Sequence, residues 1–187
     1  VTSYWLAPYQ GQSVLAWLEQ QRIAQQGLWS QLTDVVVITG PGSLTGIKIA
    51  MAMAKGLAAA TQCRVHSITM MAYHAASWLA QNKTGKPHCI AHTIHVLCKV
   101  EADDYWLQAC HLEDTVWRLS MPPQNLSLEQ CQDYSNNNQN IPLYLGEAWG
   151  KINLAYQIPV AMEESLSVDF WRYSWDYLMM LANHDLV

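Results

Sequence analysis

Few residues in this sequence have the type and spacing to do chemistry. Gly40-Pro41-Gly42-Ser43 follows the unbroken β-branched run Val35-Val36-Val37-Ile38 and precedes a stretch of helical composition, Thr45 to Ala60. A buried strand, a glycine turn and a helix N-terminus leave backbone N–H groups free, an arrangement able to hold an anion. The plainer reading is a tight strand-to-helix turn capped by Ser43, because neither GxGxxG nor the P-loop pattern is present. Ser43 does not sit in G-x-S-x-G, and no general base is placed beside it. His88, His92 and His95 have H-x-x-x-H and H-x-x-H spacings, which on a helix would put His88 and His92 on one face as metal ligands. The segment reads instead as strand or loop, has no H-E-x-x-H glutamate, and as a strand turns His92 and His95 to opposite sides. His66, His74, His111 and His184 read as surface or hydrogen-bonded residues. Glu101, Asp103 and Asp104 read as a solvated turn, and Cys63 and Cys131 as small buried apolar groups. No catalytic residue and no metal ligand is therefore expected.

The chain that must position these groups has 187 residues, 51% apolar and 13% charged, with a net charge of -5 and a mean hydropathy of -0.03. That length supports one large domain or two small ones with a real core, and the composition excludes collagen, low-complexity tails and disulfide-stapled miniproteins. The ten basic residues are scattered singly, so no stripe exists to neutralise phosphates; any nucleic acid would be gripped by another subunit. Five cysteines without a C-x-x-C pair fit a reducing compartment, and no leader pattern or membrane-length apolar run appears, so the expected location is the cytoplasm. Sparse surface charge suggests that a partner covers part of the molecule.

The chain opens extended through Tyr4, Trp5 and Leu6. A helix is expected from Ser13 to about Gln26, with Val14, Leu15, Trp17 and Leu18 as its apolar face. Val35 to Ile38 reads as a strand buried on both sides, and Thr45 to Ala60 as a helix with Gly46, Ala50, Ala54 and Ala58 four residues apart, a stripe that lets another backbone approach closely. Arg64 to Ile68 and Met70 to Leu79 read as a second strand and helix, giving an α/β order. Gln81 to Pro87 is polar and broken by Gly and Pro, dividing a lobe at residues 1–82 from one at 88–187. In the second lobe Ile94 to Val100, Tyr105 to Cys110 and Val116 to Leu119 are expected as antiparallel strands. Ser127-Leu128-Glu129-Gln130 opens a short helix, Asn136 to Asn140 forms a loop, and Leu143 to Gly146 forms a short strand. Trp171, Trp175, Leu178 and Ala182 mark a terminal helix. Most of the nine tryptophans are expected in the core, with Trp5 and Trp17 suited to stacking at an interface.

Val35 to Ile38 with GPGS-x-TG-x-K-I, the later Ala54-Lys55-Gly56-Leu57-Ala58, and Val65-His66-Ser67-Ile68 resemble the TsaB family. This is the dimerisation subunit of the bacterial machinery that makes threonylcarbamoyladenosine in tRNA. The resemblance covers about the first 80 residues and thins beyond them. It implies an actin-like fold of the sugar-kinase, heat-shock-protein and actin superfamily, with two ribonuclease H-like lobes. It also implies a catalytically degenerate relative of the enzyme subunit TsaD: TsaD-like proteins carry paired metal-binding histidines after the strand equivalent to Arg64 to Ile68, where this chain has Ser67 and Met71. Family members begin with a β-hairpin bearing an acidic residue beside the nucleotide phosphates. Nothing before Tyr4 supplies one, so that hairpin is expected to be missing from this sequence.

The function implied by the resemblance is a non-catalytic scaffold that binds a TsaD-like catalytic subunit and supports threonylcarbamoyl transfer to the tRNA adenosine beside the anticodon. A TsaE-like ATPase joins the complex, tRNA is contacted only indirectly, and no membrane is involved. No cofactor is expected on this chain alone, a nucleotide only at the partner interface, and a homodimer when the partner is absent. In this family the first two helices bundle with those of the partner. The expected interface is therefore Val14, Leu15, Leu18, Gly46, Ile47, Ala50, Met51 and Ala54, with Gly40, Pro41, Gly42 and Ser43 as the glycine turn. The opposing reading makes those helix faces internal core. The rival function is an active ATP-dependent phosphotransferase or metallopeptidase-like enzyme of the same fold.

Overall fold

A computed structural model describes residues 11–24, 27, 29–83, 93–101, 104–114, 116–137, 144–145 and 176–181. The expectations for residues 1–10, for His88 and His92, for Leu143 and Gly146, and for Trp171, Trp175 and Ala182 fall outside the described residues. The chain divides into two compact units, Val1–Ser67 with Asn183–Val187, and Ile68–Ala182. The division lies at the end of the second strand, upstream of the polar segment at 81–87, because the following helix packs on strands of the second unit.

The first unit holds helix α1 (Gly11–Ala24), a short 3-10 turn at Trp29–Gln31, strand β1 (Asp34–Ile38), helix α2 (Leu44–Thr61) and strand β2 (Arg64–Ile68), whose last residue passes into the second unit. β1 and β2 pair as neighbours. Between β1 and α2 the chain turns through Gly40 at φ +108°, a left-handed conformation that L side chains rarely adopt. A Cβ at Gly40 would stand 2.8 Å from Ile47 Cδ1, whereas Gly42 has open space around it. The Ser43 side chain accepts a hydrogen bond from the Gly46 N–H at 3.4 Å, and the Ile47 N–H donates to the Ser43 carbonyl at 2.9 Å. α2 ends with Gln62 in the left-handed region, its N–H donating to the Ala58 carbonyl.

From Ala50 to Ala58 the small-residue stripe of α2 is spent on its own sheet. Ala54 is 3% exposed and forms a core cluster with Val37 of β1 and Val65 of β2, against which Val35, Ala50, Met51 and Ala58 pack. Of the expected interface residues, Ala50, Met51 and Ala54 thus belong to the sheet-facing side of α2. Alanine at positions 50, 54 and 58 lets the helix axis come close to the strands, and buried Ala54 leaves no access for a partner side chain.

In the second unit α3 (Met70–Lys83) is followed by β3 (Thr93–Glu101), β4 (Asp104–Glu113), β5 (Val116–Leu119), β6 (Gln124–Leu126), α4 (Leu128–Asn137) and β7 (Tyr144–Leu145). β4 pairs antiparallel with β3, β5 and β6, and β7 adds to β3 in parallel. Leu97, Tyr105 and Leu107 share one face of β3 and β4 and bury with Cys131 of α4. Ile94, Val96, Gln108 and Cys110, of opposite parity, are buried too. Gln108 accepts from the Thr69 hydroxyl, which also caps α3 by accepting from the Ala72 N–H at 3.0 Å. Two covered faces explain why these strands read as near-continuous apolar runs. The capping box holds as expected: Ser127 Oγ accepts from the Gln130 N–H at 3.2 Å and Gln130 Oε1 from the Ser127 N–H at 2.8 Å. A helix nucleated this firmly runs on through Asn136 and Asn137, which were expected in a loop. Residues 176–181 are helical, with Leu178 and Leu181 buried.

Two substitutions check this packing by thermal or denaturant unfolding. Ala54→Glu should cost about 3–5 kcal/mol through overpacking and an unpaired buried charge, while Ala52→Glu, on the exposed side of α2, should shift stability by less than about 0.5 kcal/mol. Gly40→Ala should cost about 1–3 kcal/mol, and Gly42→Ala should be tolerated.

Candidate functional site

The open side of α2 in the first unit faces α1. Met53, Gly56 and Leu57 of α2, Leu18, Glu19 and Arg22 of α1, and Trp29 line a groove of about 340 Å³. Its floor is apolar, and Gly56 leaves open space where a side chain would stand. At the rim Arg22 and Glu19 form a two-point ion pair, Nη2 to Oε1 at 2.6 Å and Nε to Oε2 at 2.8 Å. The hydrogen bond from Arg22 holds the Glu19 carboxyl below its usual range. Both side chains are more than half exposed, so the pair adds little to stability. Ile49, one turn before Met53 on the same side of α2, is 41% exposed, and Ile23 on α1 is 59% exposed. Of the sequence-expected interface, Leu18 lines this groove, Ile47 packs over Gly40, and Gly46 is exposed. Val14 and Leu15 lie on α1, their side chains outside the described residues. Met53, Gly56 and Leu57, which line the groove, and the exposed Ile49 are not among the residues expected from sequence. Helical phase alone marks them as opposite or flanking the Ala50–Ala54 stripe, but sequence does not say which side meets the sheet.

The glycine turn places Gly40 buried, Pro41 half-buried, and Gly42 and Ser43 exposed. Near the start of β1, Asp34 gathers two partners from β2. The His66 Nε2–H donates to Asp34 Oδ1 at 2.8 Å, and Arg64 reaches Oδ1 through Nε at 2.9 Å and Oδ2 through Nη2 at 3.1 Å. Burial opposes the carboxylate charge, but hydrogen bonds from His66, Arg64 and Thr33 outweigh it and hold Asp34 below its ordinary range. His66 is 4% exposed, so this cluster clamps β1 to β2 and leaves its imidazole closed to a substrate. His95, also 4% exposed, is hydrogen-bonded through Nδ1 to the Tyr134 hydroxyl at 2.7 Å, tying β3 to α4. Burial lowers its pKa to about 4. Burial likewise pushes the Cys110 thiol to about 12 and Cys131 to about 11, leaving both unreactive at neutral pH. Asp104 accepts from Asn125 and from the Trp106 indole, consistent with a turn role. Among the described residues no three His, Cys, Asp or Glu side chains gather as metal ligands, and no helix is long and apolar enough to cross a membrane. Ser67 and Met71 are both buried, at 6% and 0% exposure.

A family model described as TsaD, tRNA N6-adenosine threonylcarbamoyltransferase, matches residues 14–94. YeaZ from Pseudomonas aeruginosa superposes with a TM-score of 0.61 at 20% identity, covering 95% of this chain and 82% of that one. A second structure, described as an uncharacterized protein with similarity to peptidase YEAZ from Pseudomonas aeruginosa, gives a TM-score of 0.61 at 20% identity, covering 96% and 82%. No curated protein matches the sequence. The fold is the α/β, actin-like fold expected from the sequence.

Two measurements test the buried polar pairs. Asp34→Asn, which keeps the shape but removes the charge facing Arg64 and His66, should cost about 1.5–3 kcal/mol at pH 7. His95 is neutral in the fold down to about pH 4, while the unfolded chain takes up its proton near pH 6.5. Its contribution is therefore intact above pH 6.5 and is progressively lost as pH falls from there towards 4. An NMR titration should show His95 protonating near pH 4, and a value near 6.5 would contradict its burial.

Proposed function

We propose that this chain is a TsaB-like, non-catalytic subunit that docks on a TsaD-like catalytic subunit in the cytoplasm and supports threonylcarbamoyl transfer to the tRNA adenosine beside the anticodon. The observation that carries the reading is the TsaD family-model match over residues 14–94, the stretch that contains all but the first three residues of α1, the glycine turn, α2 and β2. The likeness to YeaZ supports it at the level of fold. The non-catalytic part rests on side-chain chemistry: Ser67 and Met71 stand about where the resemblance implies metal-binding histidines. A hydroxyl and a thioether are poor substitutes for imidazole at such a centre. With a net charge of -5 the chain is suited to leave tRNA to its partner. A TsaE-like ATPase belongs to the same proposed complex, with any nucleotide at the subunit interface.

The docking surface in this proposal is the open side of the α1–α2 pair: Leu18, Ile49, Met53, Gly56 and Leu57 replace Ala50, Met51 and Ala54 from the sequence-based set. At roughly 25 cal/mol per Å² of apolar area, such a surface can hold a partner without polar hot spots. Without the partner, the same surface pairs with a second copy.

Calorimetry and co-purification with a TsaD-like subunit test the proposal. A complex should form, and modified tRNA should appear only when both subunits are present. Turnover of a substrate by the isolated chain would overturn the scaffold reading in favour of an enzyme of the same fold. Ile49→Glu and Gly56→Trp should each leave the circular dichroism spectrum unchanged and weaken association at least about tenfold, about 1.4 kcal/mol. Unimpaired binding by both variants would remove this face from the interface.

A further inference from the structure

We draw no further inference here: the strongest candidate beyond the proposed docking role, the apolar groove between α1 and α2 over Gly56 as a site for some other ligand, carries nothing because nothing in the structure shows what else would cover it.

Discussion

The first unit depends on one contact, the seating of the α2 alanine stripe on β1 and β2. Ala50, Ala54 and Ala58 present methyl groups where leucines would hold the helix further off, and Val35, Val37 and Val65 fill the space from below. Close approach fixes the rotation of α2 about its axis. Once that rotation is set, Met53, Gly56 and Leu57 must turn towards α1, and Ile49 is left in solvent. One packing choice therefore produces the open helical face. The chain enters α2 from β1 through Gly40, whose φ of +108° favours glycine, with Ile47 Cδ1 lying over the turn.

Polar groups do a different task in this molecule. Asp34 with Arg64 and His66 fastens β1 to β2, Thr69 with Gln108 fastens α3 to β4, and Tyr134 with His95 fastens α4 to β3. Each joins residues at least 30 positions apart in sequence, so each selects a register that apolar packing alone would leave loose. Burial lowers the His95 pKa to about 4, so that imidazole stays neutral at physiological pH. Among the described residues, these polar pairs serve internal registration, and the proposed docking surface is built from apolar side chains.

Much of this was legible in the sequence. β-branched runs located β1 and β2, the S-x-x-Q capping box opened α4, and the acidic turns between strands 3, 4 and 5 signalled antiparallel pairing, each because the signal is local. The side of α2 that meets the sheet was not legible. A stripe of small residues announces close approach without naming what approaches, and a neighbouring strand satisfies it as well as a partner helix. The short strand Gln124–Leu126 was also missed, since three residues carry too little periodicity. The histidine contacts were unreadable for a third reason: His66 and His95 acquire their partners only when distant elements meet. The sequence-expected site put Ala50, Met51 and Ala54 against a partner, whereas they pack on the strands of their own unit.

The central claim is that α2 gives one side to its own sheet and the other to a TsaD-like subunit. Hydrogen exchange of this chain, measured alone and with that subunit, tests it most directly. The account predicts added protection concentrated in residues 11–24 and 44–61, with the strands of the second unit unchanged. Protection confined to the second unit, or none in the two helices while a complex demonstrably forms, would contradict it.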